Sequence, residues 1–174
     1  MNGQEGITLI EACVTLAVAT VVATGAIPSM QQLLDARRFD GAASQLAGDL
    51  QFTRISAVAR NQRIRFTLQT DATGSCYVIH TGNADACRCG SSGPAVCGSG
   101  ANEIRTVRLP ASDRVLVQAN VASILFDPVH GTSTPAGTLR VIGANGRELR
   151  HVVNVMGRVR TCSAKGNAGG YRAC

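Results

Sequence analysis

From Ile7 to Ile27 the chain runs for 21 residues with no basic side chain and a single acid, Glu11, and Pro28 follows at once. At about 1.5 Å rise per residue, a helix of that length matches a bilayer core of roughly 30 Å. Glu11 lies one turn inside it. A carboxylate within a membrane helix costs on the order of 2.5 to 3.5 kcal/mol on insertion scales, so an acid kept there calls for a functional partner, and the run itself contains no cation. A secretory signal is the plain alternative. It would need a basic n-region and an apolar stretch of about 7 to 15 residues, whereas Met1 to Gly6 contain no Lys or Arg and the run is too long.

Gly6, the hydrophobic Ile7, the sequence Thr8-Leu9-Ile10-Glu11 and the proline at Pro28 together resemble the N-terminus of type IV pilins and of the pilin-like proteins of type II secretion. The resemblance implies a prepilin leader over residues 1–6, cleaved by a prepilin peptidase between Gly6 and Ile7, and methylation of the new amino group of Ile7. It also implies a transmembrane half of the N-terminal helix over 7–28 and a periplasmic or extracellular head domain over 29–174. The subunit is then expected as a single-pass protein of the bacterial inner membrane before assembly, and in a periplasmic or extracellular pilus afterwards. Glu11 becomes the assembly residue: cleavage creates an α-amino cation in an apolar setting, and a neighbouring subunit's carboxylate is a natural partner for it. Two departures stand out. Ile7 occupies a place most often held by Phe, and the leader lacks the basic residue usual in the family, which leaves an earlier start codon open. Arg37 and Arg38 lie beyond the span, so the positive-inside rule alone favours the reverse orientation; the motif is the more specific signal.

Beyond Pro28, Phe39, Ala42, Leu46, Leu50, Thr53 and Ala57 recur every three or four residues, an apolar stripe suited to lie on a sheet. Arg37, Ser44, Gln51 and Arg54 fall on the opposite face, and the helix is expected to end near Asn61. Gly41 and Gly48 weaken it by about 1 kcal/mol each relative to Ala. From Arg63 the period changes to two: Ile64, Phe66 and Leu68 alternate with polar residues, which predicts a half-buried strand. Short apolar or β-branched segments at 76–80, 104–109, 115–118, 124–126, 139–142 and 149–155 predict further strands. Ala144-Asn145-Gly146 carries the Asn-Gly signal of a tight hairpin. The Gly-, Ser- and Cys-rich stretch 83–101 reads as the main irregular segment. One long N-terminal helix, membrane-spanning and then amphipathic, followed by antiparallel strands makes an α+β fold, the type IV pilin-like architecture that the resemblance also implies. The roughly 145 residues outside the membrane are enough for one domain with a core.

Cys13 lies in the membrane run, and Cys76, Cys87, Cys89, Cys97, Cys162 and Cys174 form an even set that reads as disulfides in a translocated domain. Cys162 and Cys174 bracket a Gly-rich tail with few apolar anchors, so a bridge between them would limit its disorder. The other four are expected to pair among themselves around 83–101, in an order the sequence leaves open. A zinc site from Cys87, Cys89 and Cys97 with a His competes, but its spacing is not the usual paired C-x2-C and an oxidising compartment disfavours it. No metal or cofactor is expected.

The net charge of +6 is unevenly placed: from Pro128 to the end seven basic residues face one acid, Glu148, while everything before balances at ten and ten. Sixteen of the 17 basic residues are Arg, a side chain suited to bidentate phosphate contact and also a product of coding bias. Phe126-Asp127-Pro128 with Gly131, Gly137-Thr138-Leu139, the Asn145-Gly146-Arg147 turn and Gly157-Arg158-Val159-Arg160 resemble minor pilins of the FimT type and the related pseudopilin H of type II secretion. In FimT-type pilins the Gly-Arg-x-Arg motif is associated with DNA binding during natural transformation. The resemblance maps that role onto Arg158 and Arg160, with Lys165 and Arg172 as basic neighbours. On a strand, Arg-x-Arg puts both guanidinium groups on one face, which suits two phosphates and equally a solvated face. The chain has no Trp and only Tyr171 in the tail, so contact with the backbone of double-stranded DNA, without sequence preference, is expected over base stacking.

No Gly-x-Ser-x-Gly elbow, Gly-Lys-Ser/Thr phosphate loop or His-Glu-x-x-His motif occurs, and His80, His130 and His151 are scattered, so no enzyme is expected. The partners expected are other pilin subunits through the N-terminal helix, the prepilin peptidase, the inner membrane and double-stranded DNA, with no small-molecule substrate. A secretion pseudopilin without a nucleic-acid role is the competing reading.

Overall fold

The computed structural model describes residues 8–91, 93–164, 166 and 168–174. A single helix, α1, spans Leu9–Ala59 and passes position 28 without a break. Thr8 caps it, its Oγ1 accepting from the Glu11 amide at 3.4 Å, and the Glu11 carboxylate suits the positive end of the helix dipole. The most apolar 18-residue stretch of α1 has a mean hydropathy of 2.0 and none of it is buried. By length and composition it can cross a membrane. Further along, Phe39, Ala42, Leu46, Leu50, Thr53 and Ala57 are all buried, so the stripe read from the period is the face that packs. The helix stops because Asn61 adopts a left-handed φ of 47°. Its amide then reaches Val58 O and the Gln62 amide reaches Ala57 O, a pair of bonds that satisfies the last carbonyls.

The strands are β1 (Ile64–Asp71), β2 (Gly74–Thr81), β3 (Cys87–Cys89), β4 (Ala95–Cys97), β5 (Glu103–Pro110), β6 (Val115–Ala119), β7 (Ser123–Phe126), β8 (Ser133–Thr134), β9 (Gly137–Gly143), β10 (Glu148–Val153) and β11 (Val159–Ser163). They form a five-stranded sheet in the order β5-β2-β1-β7-β8, a four-stranded sheet β11-β10-β9-β6 and a small β3-β4 ribbon, antiparallel throughout. Alternate residues of both larger sheets, among them Phe66, Tyr77, Ile124, Leu139, Val141 and Leu149, meet the α1 stripe in one core. Each large side chain fully buried there contributes roughly 1.5 to 3 kcal/mol.

Three elements differ from the sequence reading. The strand expected over 149–155 ends at Val153, because Asn154 starts a turn whose carbonyl accepts from the Gly157 amide at 2.8 Å. At the β9–β10 hairpin only Gly146 takes a positive φ, 69°, and Asn145 does not. Gly143 N–H bonds Arg147 O across it, so the connection is a three-residue loop with a left-handed glycine at its end rather than a two-residue turn. The stretch 83–101 contains the β3–β4 ribbon, whose directly opposed Cys87 and Cys97 are bonded, while Cys76–Cys89 fastens it to β2. The ribbon covers the outward side of β2, where Val78 and His80 are fully buried.

Ion pairs tie the head to the helix at two levels. Asp40 pairs with Arg147 at 3.3 Å and Asp35 with Arg114 at 2.8 Å, surface contacts worth about 0 to 1 kcal/mol each. Higher up, Asp49 is 2% exposed; it accepts from Tyr77 Oη at 2.7 Å and pairs with Arg105, whose guanidinium lies over the Phe52 ring. Burial first, and the bond to Asp49 second, push the Tyr77 phenol well above its usual range. Losing Asp49 would strand a buried hydroxyl, which makes this tie the costly one to break.

Candidate nucleic-acid interface

The Gly157-Arg158-Val159-Arg160 segment enters β11 from the turn that closes the β10–β11 hairpin. Asn154 holds that turn: its amide donates to Arg158 O at 3.2 Å, and its Oδ1 accepts from the Arg158 amide at 2.9 Å. Gly157 has a φ of 70°, and a Cβ there would stand 2.1 Å from Gly131 O and 3.0 Å from Arg54 Nε. Only glycine fits. Arg54 reaches over from α1, 77 residues away, to donate its Nε to that same Gly131 oxygen at 2.9 Å. Two glycines of the sequence pattern and a helix arginine thus meet at one point. Arg54 therefore does not lie free on the open helix face where periodicity puts it; it is part-buried, because its guanidinium satisfies a loop carbonyl.

The brace settles where the two arginines stand. Arg160 is in β11, with Val159 on the side that packs on the core, so Arg160 points outward. Arg158 precedes the strand and leaves from the turn, which corrects the expectation that both arginines sit on one strand with their guanidinium groups on one face. Both are exposed. Among the described residues no ion pair or side-chain hydrogen bond engages either guanidinium.

The tail returns to the far end of β11. Cys162 and Cys174 are bonded, and Ser163 gathers the returning chain: its amide donates to Arg172 O at 2.8 Å, its carbonyl accepts from Cys174 at 3.1 Å, and its Oγ accepts from Ala168 at 3.2 Å. Ala168, within this loop, is buried and joins the hydrophobic core. Arg172 is exposed on it; Lys165 lies outside the described residues.

Sequence reasoning missed a second group. On the outward side of the four-stranded sheet, Glu148 is clamped by two arginines. Arg140 binds it bidentately, Nε to Oε1 at 2.9 Å and Nη2 to Oε2 at 3.1 Å, and Arg150 adds Nε to Oε1 at 2.9 Å. Those hydrogen bonds hold the Glu148 carboxyl down at about 2. The register pairs Arg150 with Arg140, and the hairpin signal at Asn145-Gly146, followed outward four or five residues, could have found the pair.

Glu11 is exposed on the first turn of α1, while Gly6 and Ile7 lie outside the described residues. Cys87, Cys89 and Cys97, the zinc candidates, are each bonded to another cysteine, and no cluster suited to a metal occurs among the described residues. His80 and His151 are buried singly, and burial holds both below the usual imidazole range, His151 at about 4.

A family model described as Type II transport protein GspH matches residues 42–157, more than half of the chain. Among solved structures, the type IV minor pilin FimU of Pseudomonas aeruginosa (strain PAO1) is similar in fold, with 20% identity, 71% of this chain and 87% of that chain covered, and a TM-score of 0.50. The minor pseudopilin EpsH from the type 2 secretion system of Vibrio cholerae matches at 12% identity over 71% of this chain and 95% of that one, with a TM-score of 0.49. No match is found among curated proteins.

Proposed function

That this chain belongs to the GspH family of type II transport proteins is the premise from which we propose its function: a minor pilin of a type IV pilus that binds double-stranded DNA without sequence preference, through its basic C-terminal end, for uptake in natural transformation. The observation that carries this reading is the placement of Arg158 and Arg160, exposed, free of partners among the described residues, and set on a backbone locked by Gly157, Gly131 and Arg54. A site ordered in advance loses less entropy when it binds. Arg172 on the disulfide-closed tail and Lys165 add to the same charge. Four cations that each neutralise a phosphate give a log–log salt slope of about −3.6, from roughly −0.9 per phosphate, and few contacts of this kind give micromolar affinity or weaker.

Assembly rests on the N-terminal helix. Residues 1–6 are the leader, 7–28 the transmembrane half in the inner membrane and 29–174 the head; a prepilin peptidase cleaves after Gly6, the Ile7 amine is methylated, and Glu11 of one subunit pairs with that amine on the next. Exposure of the most apolar 18-residue stretch of α1 in the single chain supports a surface that membrane or neighbouring helices cover.

A secretion pseudopilin without a nucleic-acid role is the second reading, favoured by the description of the matching family as a type II transport protein. The two part in a gel-shift series with the full-length protein in detergent, mixed-sequence duplexes and rising salt. Arg158→Gln with Arg160→Gln is expected to flatten the slope by about two and to lower DNA uptake in cells with the fold intact. No salt-sensitive binding by the wild type, or equal binding by the double variant, leaves the pseudopilin as the better account.

A further inference from the structure

The cations at β11 have a continuation that the tail motif does not include. On the outward side of the four-stranded sheet, Arg160 stands opposite Val152, Arg150 opposite Cys162 on one side and opposite Arg140 on the other. With strands about 4.8 Å apart and a rise of about 3.3 Å per residue, the Cα atoms of Arg160 and Arg150 lie about 8 Å apart and those of Arg150 and Arg140 about 5 Å. From Arg160 to Arg140 the row spans about 12 Å end to end, with Arg158 beyond it at the turn. A B-form strand carries a phosphate every ~3.4 Å of axis, so a duplex lying along the row passes about three or four phosphates of its nearer strand, enough for each of its three arginines.

We infer that the DNA footprint crosses this sheet from Arg158 and Arg160 over Arg150 to Arg140, and that Glu148 positions the last two guanidinium groups for phosphate. The inference rests on the DNA-binding reading above. Its physical basis is the geometry of the clamp. Glu148 has a side-chain exposure of 6%, while Arg140 and Arg150 over it have 44% and 41%, so the acid lies inside and the cations outside. A guanidinium has five N–H donors. Glu148 occupies two of Arg140 and one of Arg150, which leaves three and four donors uncommitted to it on part-exposed side chains that the acid holds in place. One bidentate arginine already serves a carboxylate well; the second leaves the group with a net positive charge. The other outward side chains of the four strands, apart from Arg160, are uncharged, so nothing on this face opposes an anion except the acid beneath the arginines. The Cys162–Cys174 bond lies on the same side, opposite Arg150, and brings the Arg172 segment to the row.

The test measures mixed-sequence duplex binding to the full-length protein in detergent across a salt series, with thermal melts to verify folding. Arg150→Gln keeps the bidentate Arg140–Glu148 pair and is expected to flatten the log–log slope by about 0.9 with several-fold weaker binding at low salt. Glu148→Gln removes the carboxylate that holds both guanidinium groups and is expected to weaken binding several-fold although the net charge rises; tighter binding would show that Glu148 acts only as an opposing charge and would overturn its positioning role. Arg88→Gln, which removes the same charge from the exposed middle of β3, should leave the slope unchanged. If Arg150→Gln behaves like Arg88→Gln while the Arg158 and Arg160 double variant still loses its two contacts, the footprint stops at the tail and the inference fails with the proposed function intact. If the wild type shows no salt-sensitive binding, both fall.

Discussion

Gly157→Ala separates what the backbone brace contributes from what the arginine charges contribute. Two costs add. At a φ of 70° an alanine is in the left-handed region, which costs about 1 to 2 kcal/mol. Its Cβ would stand 2.1 Å from Gly131 O, and reaching ordinary contact at roughly 3.5 Å requires the two turns to part by more than 1 Å. That oxygen is the acceptor of the Arg54 Nε bond at 2.9 Å, so parting them also gives up a charge-assisted hydrogen bond worth about 1.5 kcal/mol at this partly exposed site. The sum is about 3 kcal/mol. Gly146 is a matched control: its φ is 69° and, among the described residues, nothing lies within 4 Å of a Cβ there, so Gly146→Ala carries the backbone cost without that clash. At roughly 2 to 4 °C per kcal/mol for a chain of this size, Tm should fall by about 10 °C in the first variant and by about 4 °C in the second. Circular-dichroism melts of the full-length protein in detergent measure both. Only Gly157→Ala should also weaken duplex DNA binding, since it displaces Arg158. Equal losses of Tm would refute the brace.

Intact mass spectrometry of envelope-derived protein should show a chain that begins at Ile7 with a methylated amine; Met1 to Gly6 still attached in assembled filaments would sink the peptidase assignment. Glu11→Ala should leave the subunit in the membrane and reduce its incorporation into filaments, with Asp restoring part, and normal incorporation of the Ala variant would count against pairing with the Ile7 amine. Cys174→Ser opens a loop of sequence separation 12, a loss of about 3 kcal/mol on the loop-entropy account, and should make the tail sensitive to proteases; an unchanged melt and cleavage pattern would remove that role. Acid should destabilise the head in two stages. His151, neutral when folded and held at about 4 by burial, protonates near 6.5 when unfolded, so its contribution is complete above that value and is lost as pH falls towards 4, with His80 shifted in the same direction. Glu148, held at about 2, contributes above the ordinary carboxylate value and loses its share as pH falls through that range towards 2. Tm should therefore drop from pH 7 to 4, less steeply in His151→Leu; a flat profile in the wild type contradicts the assignment.

Periodicity made the framework legible. The stripe from Phe39 to Ala57 and the alternation at Ile64, Phe66 and Leu68 are direct imprints of one-sided burial, and the switch between periods marks where helix gives way to sheet. Asn61, at the helix end, and Gly146, in the hairpin, are visible because left-handed backbone favours those residues. The bridge between Cys162 and Cys174 could be argued from a short, poorly anchored tail. The pairing of the other four cysteines could not, since it depends on β3 and β4 standing in register so that Cys87 faces Cys97 and leaves Cys89 for Cys76.

What the amino-acid order determined by itself is whatever depends on neighbours along the chain: the apolar run with its one carboxylate, the helix and strand periods, the turn residues, and the excess of arginine after Pro128. Only the tertiary structure decided which of those arginines act together. Arg54 and Gly131 are 77 residues apart and still share a hydrogen bond, and Gly157 is confined by both. Arg140 and Arg150 become a clamped pair because antiparallel register sets them face to face over Glu148. Charge is additive along a sequence, but the field that a phosphate meets depends on distance and burial, and the fold alone supplies those.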